Sequence, residues 1–116
     1  MVLKVSGESL VGDGGAPVSA EAAARVAAEI KAAVDAGAEV GVVIGAGNII
    51  RGVAAEAGGA DRVTADFAGM MATVVNGLAL AGALEKLGQP ARVMSALPCG
   101  RAAELYDHRR ADAHLS

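Results

Sequence analysis

The run Glu39-Val40-Gly41-Val42-Val43-Ile44 is apolar after its first residue, does not alternate, and stops at Gly45-Ala46-Gly47. Alternation marks a strand with one wet face, whereas an unbroken apolar run marks a strand covered on both faces, the situation of a parallel sheet flanked by helices. Parallel strands cannot be joined by a tight turn. Each pair needs a crossover of a dozen or more residues, so the neighbouring sequence must supply both a strand and a helix.

It does. Met1 to Ser6 reads as a short strand. The stretch from Gly7-Glu8-Ser9 through Gly12, Asp13, Gly14, Gly15, Ala16 and Pro17 is too rich in glycine for regular structure and reads as a loop. A helix follows from Ser19, with Ser19 as N-cap and Glu21 in the first turn, where its charge favours the helix dipole. Val26, Ile30 and Val34 at i, i+4 and i+8 predict its buried stripe, Glu21 and Arg25 are spaced for an exposed ion pair, and Gly37 is the expected stop. Strand, helix, strand is a βαβ unit with a right-handed crossover. The composition agrees: with 53% hydrophobic but only 2% aromatic residues, the core must be alanine and valine, which suits helices packed closely on a sheet. The fold class expected is α/β. At 116 residues the chain has room for one domain, 1–116, burying about two-thirds of its unfolded surface.

Beyond the glycine turn, residues 49–57 predict a short helix broken at Gly58-Gly59, and residues 61–87 a longer one ended by Gly88. That longer helix carries Phe67, Met70, Met71, Val74, Val75, Leu78, Leu80 and Leu84 with no charge between Asp66 and Glu85, so it is apolar on nearly every face. In a domain this small, one flank must meet a partner. Residues 91–94 predict a third strand, and residues 101–115 a solvated last helix.

Several functions are disfavoured. A net charge of -3 and a pI near 5.3 provide no field for a polyanion, and one tyrosine with one phenylalanine make no stacking platform, so nucleic acid is not an expected partner. The single cysteine, Cys99, forms no internal disulfide, Met1-Val2-Leu3-Lys4 opens no signal peptide, and no uncharged apolar run approaches the roughly 20 residues of a membrane span. A cytoplasmic protein without membrane contact is expected. His108 and His114 lack a third ligand nearby, so no metal site is expected.

The chemistry-bearing signal lies at the ends of the strands. A strand that enters a glycine turn and then a helix leaves unpaired N–H groups aimed at one spot, which attracts phosphate. Gly45-x-Gly47 alone serves a structural turn equally well. Arg51, one turn further, could grip phosphate oxygens in bidentate fashion, or be an ordinary surface arginine. Lys4 in an apolar strand just before Ser6-Gly7 is either an edge residue or, since parallel sheets bind ligands at strand carboxyl ends, a charge for a transferring phosphoryl group. Asp66 could accept from hydroxyls or merely favour a helix start. No Gly-x-x-x-x-Gly-Lys-Ser/Thr loop occurs.

Taken together, Leu3-Lys4-Val5-Ser6-Gly7-Glu8, the run Val40 to Asn48 with Arg51-Gly52, Asp61-Arg62-Val63-Thr64-Ala65-Asp66, Gly69 to Leu80 and Arg92-Val93-Met94-Ser95-Ala96 closely resemble the bacterial uridylate (UMP) kinases of the amino-acid-kinase superfamily. The match runs through nearly the whole chain and covers about the first half of the family's length. It implies a three-layer αβα sandwich with a mainly parallel sheet, a hexamer, and transfer of the ATP γ-phosphate to UMP, with Mg2+, in pyrimidine biosynthesis. Lys4 and Arg51 match catalytic, phosphate-contacting positions; Lys4, Val5, Ser6 and Gly7 with Gly45, Gly47 and Arg51 match the phosphate-binding set. Ala46 and Asp66 match UMP contacts. The loop Gly12, Asp13, Gly14, Gly15, Ala16, Pro17 matches a segment linked to activation by GTP, and helix 61–87 the subunit contact of a homo-oligomer.

The resemblance has departures. Ala46 replaces a family glycine, which a backbone contact survives unless φ is positive there. Pro17 stands where glycine is common. The later Gly-Thr-Gly-Asn-Pro strand end, the UMP-holding threonines and the adenine-site segment Lys-Ala-Thr-x-Val-Asp-Gly do not occur in these residues, so the chain by itself is expected to be inactive. Two other readings stay open: a non-catalytic half-domain that oligomerises and binds an anion, and a superfamily kinase acting on a carboxylate or carbamate, against which the Asp61 to Asp66 and Gly69 to Thr73 runs weigh.

Overall fold

The computed structural model describes residues 1–49 and 62–116. Strand β1 (Val2–Val5) pairs in parallel with β2 (Gly41–Ile44), Leu3 opposite Val42 and Val5 opposite Ile44. Between them lies α1 (Ala20–Asp35), which makes the βαβ unit. Ser19 caps α1 as expected, its Oγ accepting from the Ala22 N–H at 3.3 Å. Gly37 ends it at φ +102°, with Ala38 N–H donating to the Ala33 carbonyl across the closing turn. The buried stripe is Ala22, Ala23, Ala27 and Ile30, while Val26 and Val34 are only half-buried. The helix sits so close that alanines face inward. Its i,i+4 ion pair is Lys31 with Asp35, at 3.2 Å, and not Glu21 with Arg25.

Helix α2 (Arg62–Lys86) packs along α1. The core joins Ala27 and Ile30 to Leu80 and Leu84, and Leu3, Val42 and Ile44 close it from the sheet. Both helices therefore cover one face of β1–β2. The other face is open, with Val2 75% and Val43 58% exposed, so the unbroken apolar run of β2 is not covered on both sides among the described residues. Gly88, at φ +80°, ends α2, with Gln89 N–H donating to the Leu84 carbonyl. On length and composition alone, Val63–Lys86 could cross a membrane, contrary to the sequence expectation, because a span tolerates charges at its ends. Here its inner face is occupied by α1 and the sheet.

Other expectations need correction. Gly7–Leu10 is a 3-10 turn rather than irregular loop: the Ser6 side chain caps it and it drives Leu10 into full burial. The third strand is shorter and later than expected, β3 (Met94–Ser95), and pairs in parallel with β4 (Glu104–Leu105) as a separate two-stranded sheet. The last helix, α3, is consequently His108–Leu115 only. Asp107 is its N-cap, accepting from Arg109 N–H at 2.9 Å. The short helix expected over residues 49–57 falls mostly outside the described residues.

Candidate functional site

Parallel pairing of β1 and β2 brings their carboxyl ends side by side, as the strand-end argument requires. Gly45 N–H donates to the Val5 carbonyl at 2.9 Å, one step past the ladder. From there both chains turn: Ser6 leads into the 3-10 turn at Gly7, and helical geometry begins at Gly47. The first N–H groups of such turns have no intrahelical acceptor. Gly7 is wedged against the second turn, where an added Cβ would lie 2.9 Å from Gly47 N and 3.0 Å from the Gly45 carbonyl, and would strike Asn48 Oδ1. A Cβ on Gly47 would stand 3.3 Å from Glu8 Oε1. The two glycine turns thus touch through backbone.

What holds the second turn is an amide pair. Asn76, on α2, is fully buried. Its Nδ2 donates to the Gly45 carbonyl at 2.8 Å and to Asn48 Oδ1 at 2.8 Å. Asn48 Nδ2 donates in turn to Asn76 Oδ1 at 3.1 Å and to the Pro17 carbonyl at 2.8 Å. Sequence reasoning gave neither asparagine a role. The available signal was Asn76 itself, an amide in the charge-free stretch between Asp66 and Glu85, since a buried amide must find partners.

The structure gathers Ser6, Gly7, Gly45, Ala46 and Gly47 at one place, and links Pro17 of the Gly12 to Pro17 loop to it. No non-glycine residue among those described has positive φ, so Ala46 occupies its glycine-like position without strain. Lys4 is exposed on the open face of the sheet, opposite Val43. Asp66 is exposed on α2, ten residues before Asn76, or about 15 Å along the axis. It lies beyond the first turn of α2, which weakens the helix-start explanation for it. Arg51 lies outside the described residues. His108 is exposed and His114 Nε2 lies 2.9 Å from Glu104 Oε2. No group of three metal-ligating side chains occurs among the described residues. Cys99 is a free, half-buried thiol beside the Leu97 carbonyl.

The amino acid kinase family model matches residues 1–115. The uridylate kinase of Methylococcus capsulatus is 54% identical over 115 residues, covering 99% of this chain and 48% of that protein. The uridylate kinase of Alcanivorax borkumensis is 45% identical over 115 residues, covering 99% and 46%. The crystal structure of UMP kinase from Bacillus anthracis superposes with a TM-score of 0.88 at 41% identity, covering 98% of this chain and 47% of that one. The chain spans about half the length of the curated relatives it matches. The αβα fold is theirs, and the described residues supply two short parallel strand pairs of it and the helical layer of α1 and α2. The chain belongs to the amino acid kinase family.

Proposed function

We infer that this chain forms the UMP-binding half of a uridylate kinase, which transfers the ATP γ-phosphate to UMP. The observation that carries the reading is the abutment of the two glycine turns at the carboxyl ends of β1 and β2, Gly7 against Gly45 and Gly47 with no room for a Cβ. Phosphoryl transfer asks a protein mainly for positioning and for positive charge around the moving group. In this reading the Ser6-Gly7 and Gly45 to Gly47 backbones seat phosphate oxygens, Lys4 and Arg51 neutralise the charge that develops, and Ala46 N–H and Asp66 hold UMP, the carboxylate accepting from ribose hydroxyls. Mg2+ belongs with the ATP phosphates rather than in a protein cage, as is usual for this ion. The Gly12 to Pro17 loop is the region where GTP would act, and the exposed side of α2 the contact between subunits.

Calorimetric titration of the chain with UMP and separately with ATP tests this. UMP binding that Arg51→Ala abolishes is expected, with ATP bound weakly or not at all because the adenine-site segment is not in this sequence. Absence of UMP binding to the unaltered chain would mean that the turns are inherited but idle here, and would favour the reading as an oligomerising half-domain, for which the apolar outer face of α2 speaks.

A further inference from the structure

The Asn48–Asn76 pair does more than fill a buried space. Each amide has two donor hydrogens, and all four find acceptors: Gly45 O and Asn48 Oδ1 for Asn76, Pro17 O and Asn76 Oδ1 for Asn48. The backbone carbonyls of Gly45 and Pro17 also fix which way each amide faces, since a flipped amide would set oxygen against oxygen. The two side chains can therefore pair in this arrangement only. Asn48 Oδ1 occupies the space where Gly7 would carry a Cβ, so the same pair touches the first glycine turn as well. Two segments far apart in sequence, the turn after β2 and the loop ending at Pro17, are bonded into one saturated network, and the turn after β1 abuts it at Gly7. A displacement of either bonded segment strains or breaks a bond in it; at the part-buried bonds of Asn76 a broken bond leaves an unsatisfied polar group, while the Asn48–Pro17 bond lies at the exposed rim of the network.

We propose that the Asn48–Asn76 pair is a positioning device that couples the Gly12 to Pro17 loop to the Gly45 to Gly47 turn, so that a change in either is felt at the other. Asn48 is the joint, because its amide is shared between Pro17 and Asn76. Asn76 is the anchor, because it ties the turn to the rigid middle of α2. The loop is otherwise held by its own bonds, Gly12 N–H to Ala16 O at 3.0 Å and Gly15 N–H to Gly12 O at 3.0 Å. At its exposed tip a Cβ added to Gly14 or Gly15 would meet no atom within 4 Å, and the bond from Asn48 to Pro17 gives the loop a route inward to the second turn. The consequence for nucleotide binding rests on the function inferred above; the coupling itself does not.

The test uses nuclear magnetic resonance of the full chain and reads the side-chain NH2 signals of Asn48 and Asn76. Gly15→Ala perturbs the loop tip, where φ is +81° and a Cβ meets no atom within 4 Å, so the variant strains the loop without a clash. It is expected to shift the NH2 signals of both asparagines. In an Asn48→Asp background, which keeps the acceptor for Asn76 but loses both donors, the response at Asn76 is expected to vanish. A merely structural pair would change stability without relaying the loop substitution to Asn76. An Asn76 signal that ignores Gly15→Ala, or follows it equally in the Asn48→Asp background, overturns the proposal. Should Asn48→Asp fail to fold, the Gly15→Ala response at Asn76 decides alone. Added UMP is expected to slow amide exchange at Gly12 and Gly15 by about threefold to tenfold, the worth of one neutral hydrogen bond. If UMP changes nothing while Gly15→Ala reaches Asn76, the nucleotide reading falls and the coupling stands. If UMP shifts Gly45 and Gly47 while Gly15→Ala never reaches Asn76, the reverse holds.

Discussion

Gly7 is glycine for lack of space and not for lack of an allowed backbone conformation, since its φ is not positive. Any Cβ there must displace the backbone of Gly45 and Gly47 or the Asn48 side chain, none of which is the free end of a flexible group. Gly7→Ala is therefore expected to cost about 1–3 kcal/mol, the range for overpacking a well-filled site, and urea denaturation followed by circular dichroism measures it. A loss below about 0.5 kcal/mol, the range of surface changes, would show that the turns part easily. At this scale the glycines were legible in the sequence and the asparagines were not. Glycine next to a strand end announces a turn by itself, whereas Asn76 and Asn48, separated by 28 positions, acquire meaning only once α2 lies across β2. Lys4 and Asp66 stand between these cases: both are exposed, Lys4 on the open face of the sheet and Asp66 on α2, and the roles proposed for them concern a ligand and not another residue.

Helix α1, closed by local signals, and the β1–β2 pair were read correctly, whereas the β3–β4 pair and the 3-10 turn were not. Helix α1 begins at a serine cap and ends at a glycine with positive φ, both set within a few residues of chain. Ser19→Ala should accordingly lower stability by about 1 kcal/mol, visible as a lower thermal midpoint, without altering the β1–β2 pairing. The last helix shows the opposite case. Helical propensity runs through residues 101–115, yet Glu104 N–H donates to Val93 O and Tyr106 N–H to Ser95 O, so residues 104–105 leave the helix to pair with β3. Nothing local marks that choice except Asp107, whose side chain then restarts the helix as a cap. The missed 3-10 turn has a similar origin: Leu10, at the edge of a glycine-rich stretch, is fully buried, and burying it bends the chain into a turn.

For the molecule as a whole, the two faces of α2 carry different loads. Ala72, Asn76, Leu80 and Leu84 recur every four residues and point into the core. Val63, Phe67, Met71 and Val75 recur at the same spacing and are exposed, with Met70 and Leu78 beside them and Phe67 at 53%. A contiguous apolar stripe of this kind, together with Val2 and Val43 on the open face of the sheet, is a surface that water disfavours and a second copy could cover. Sedimentation velocity at micromolar concentration is expected to show a self-associated species. Phe67→Glu places a charge in the middle of the stripe, where it would be desolvated on association, and is expected to move the distribution towards monomer while leaving the α1–α2 core intact. A change of mass confined to this variant assigns the contact to α2. Unchanged association would place it on the open sheet face instead, and a monomeric unaltered chain would exclude both surfaces as contacts at that concentration. The helix read from sequence as apolar on every side is thus resolved into a core face, anchored by one buried amide, and an outer face that carries Val63, Phe67, Met71 and Val75 into solvent.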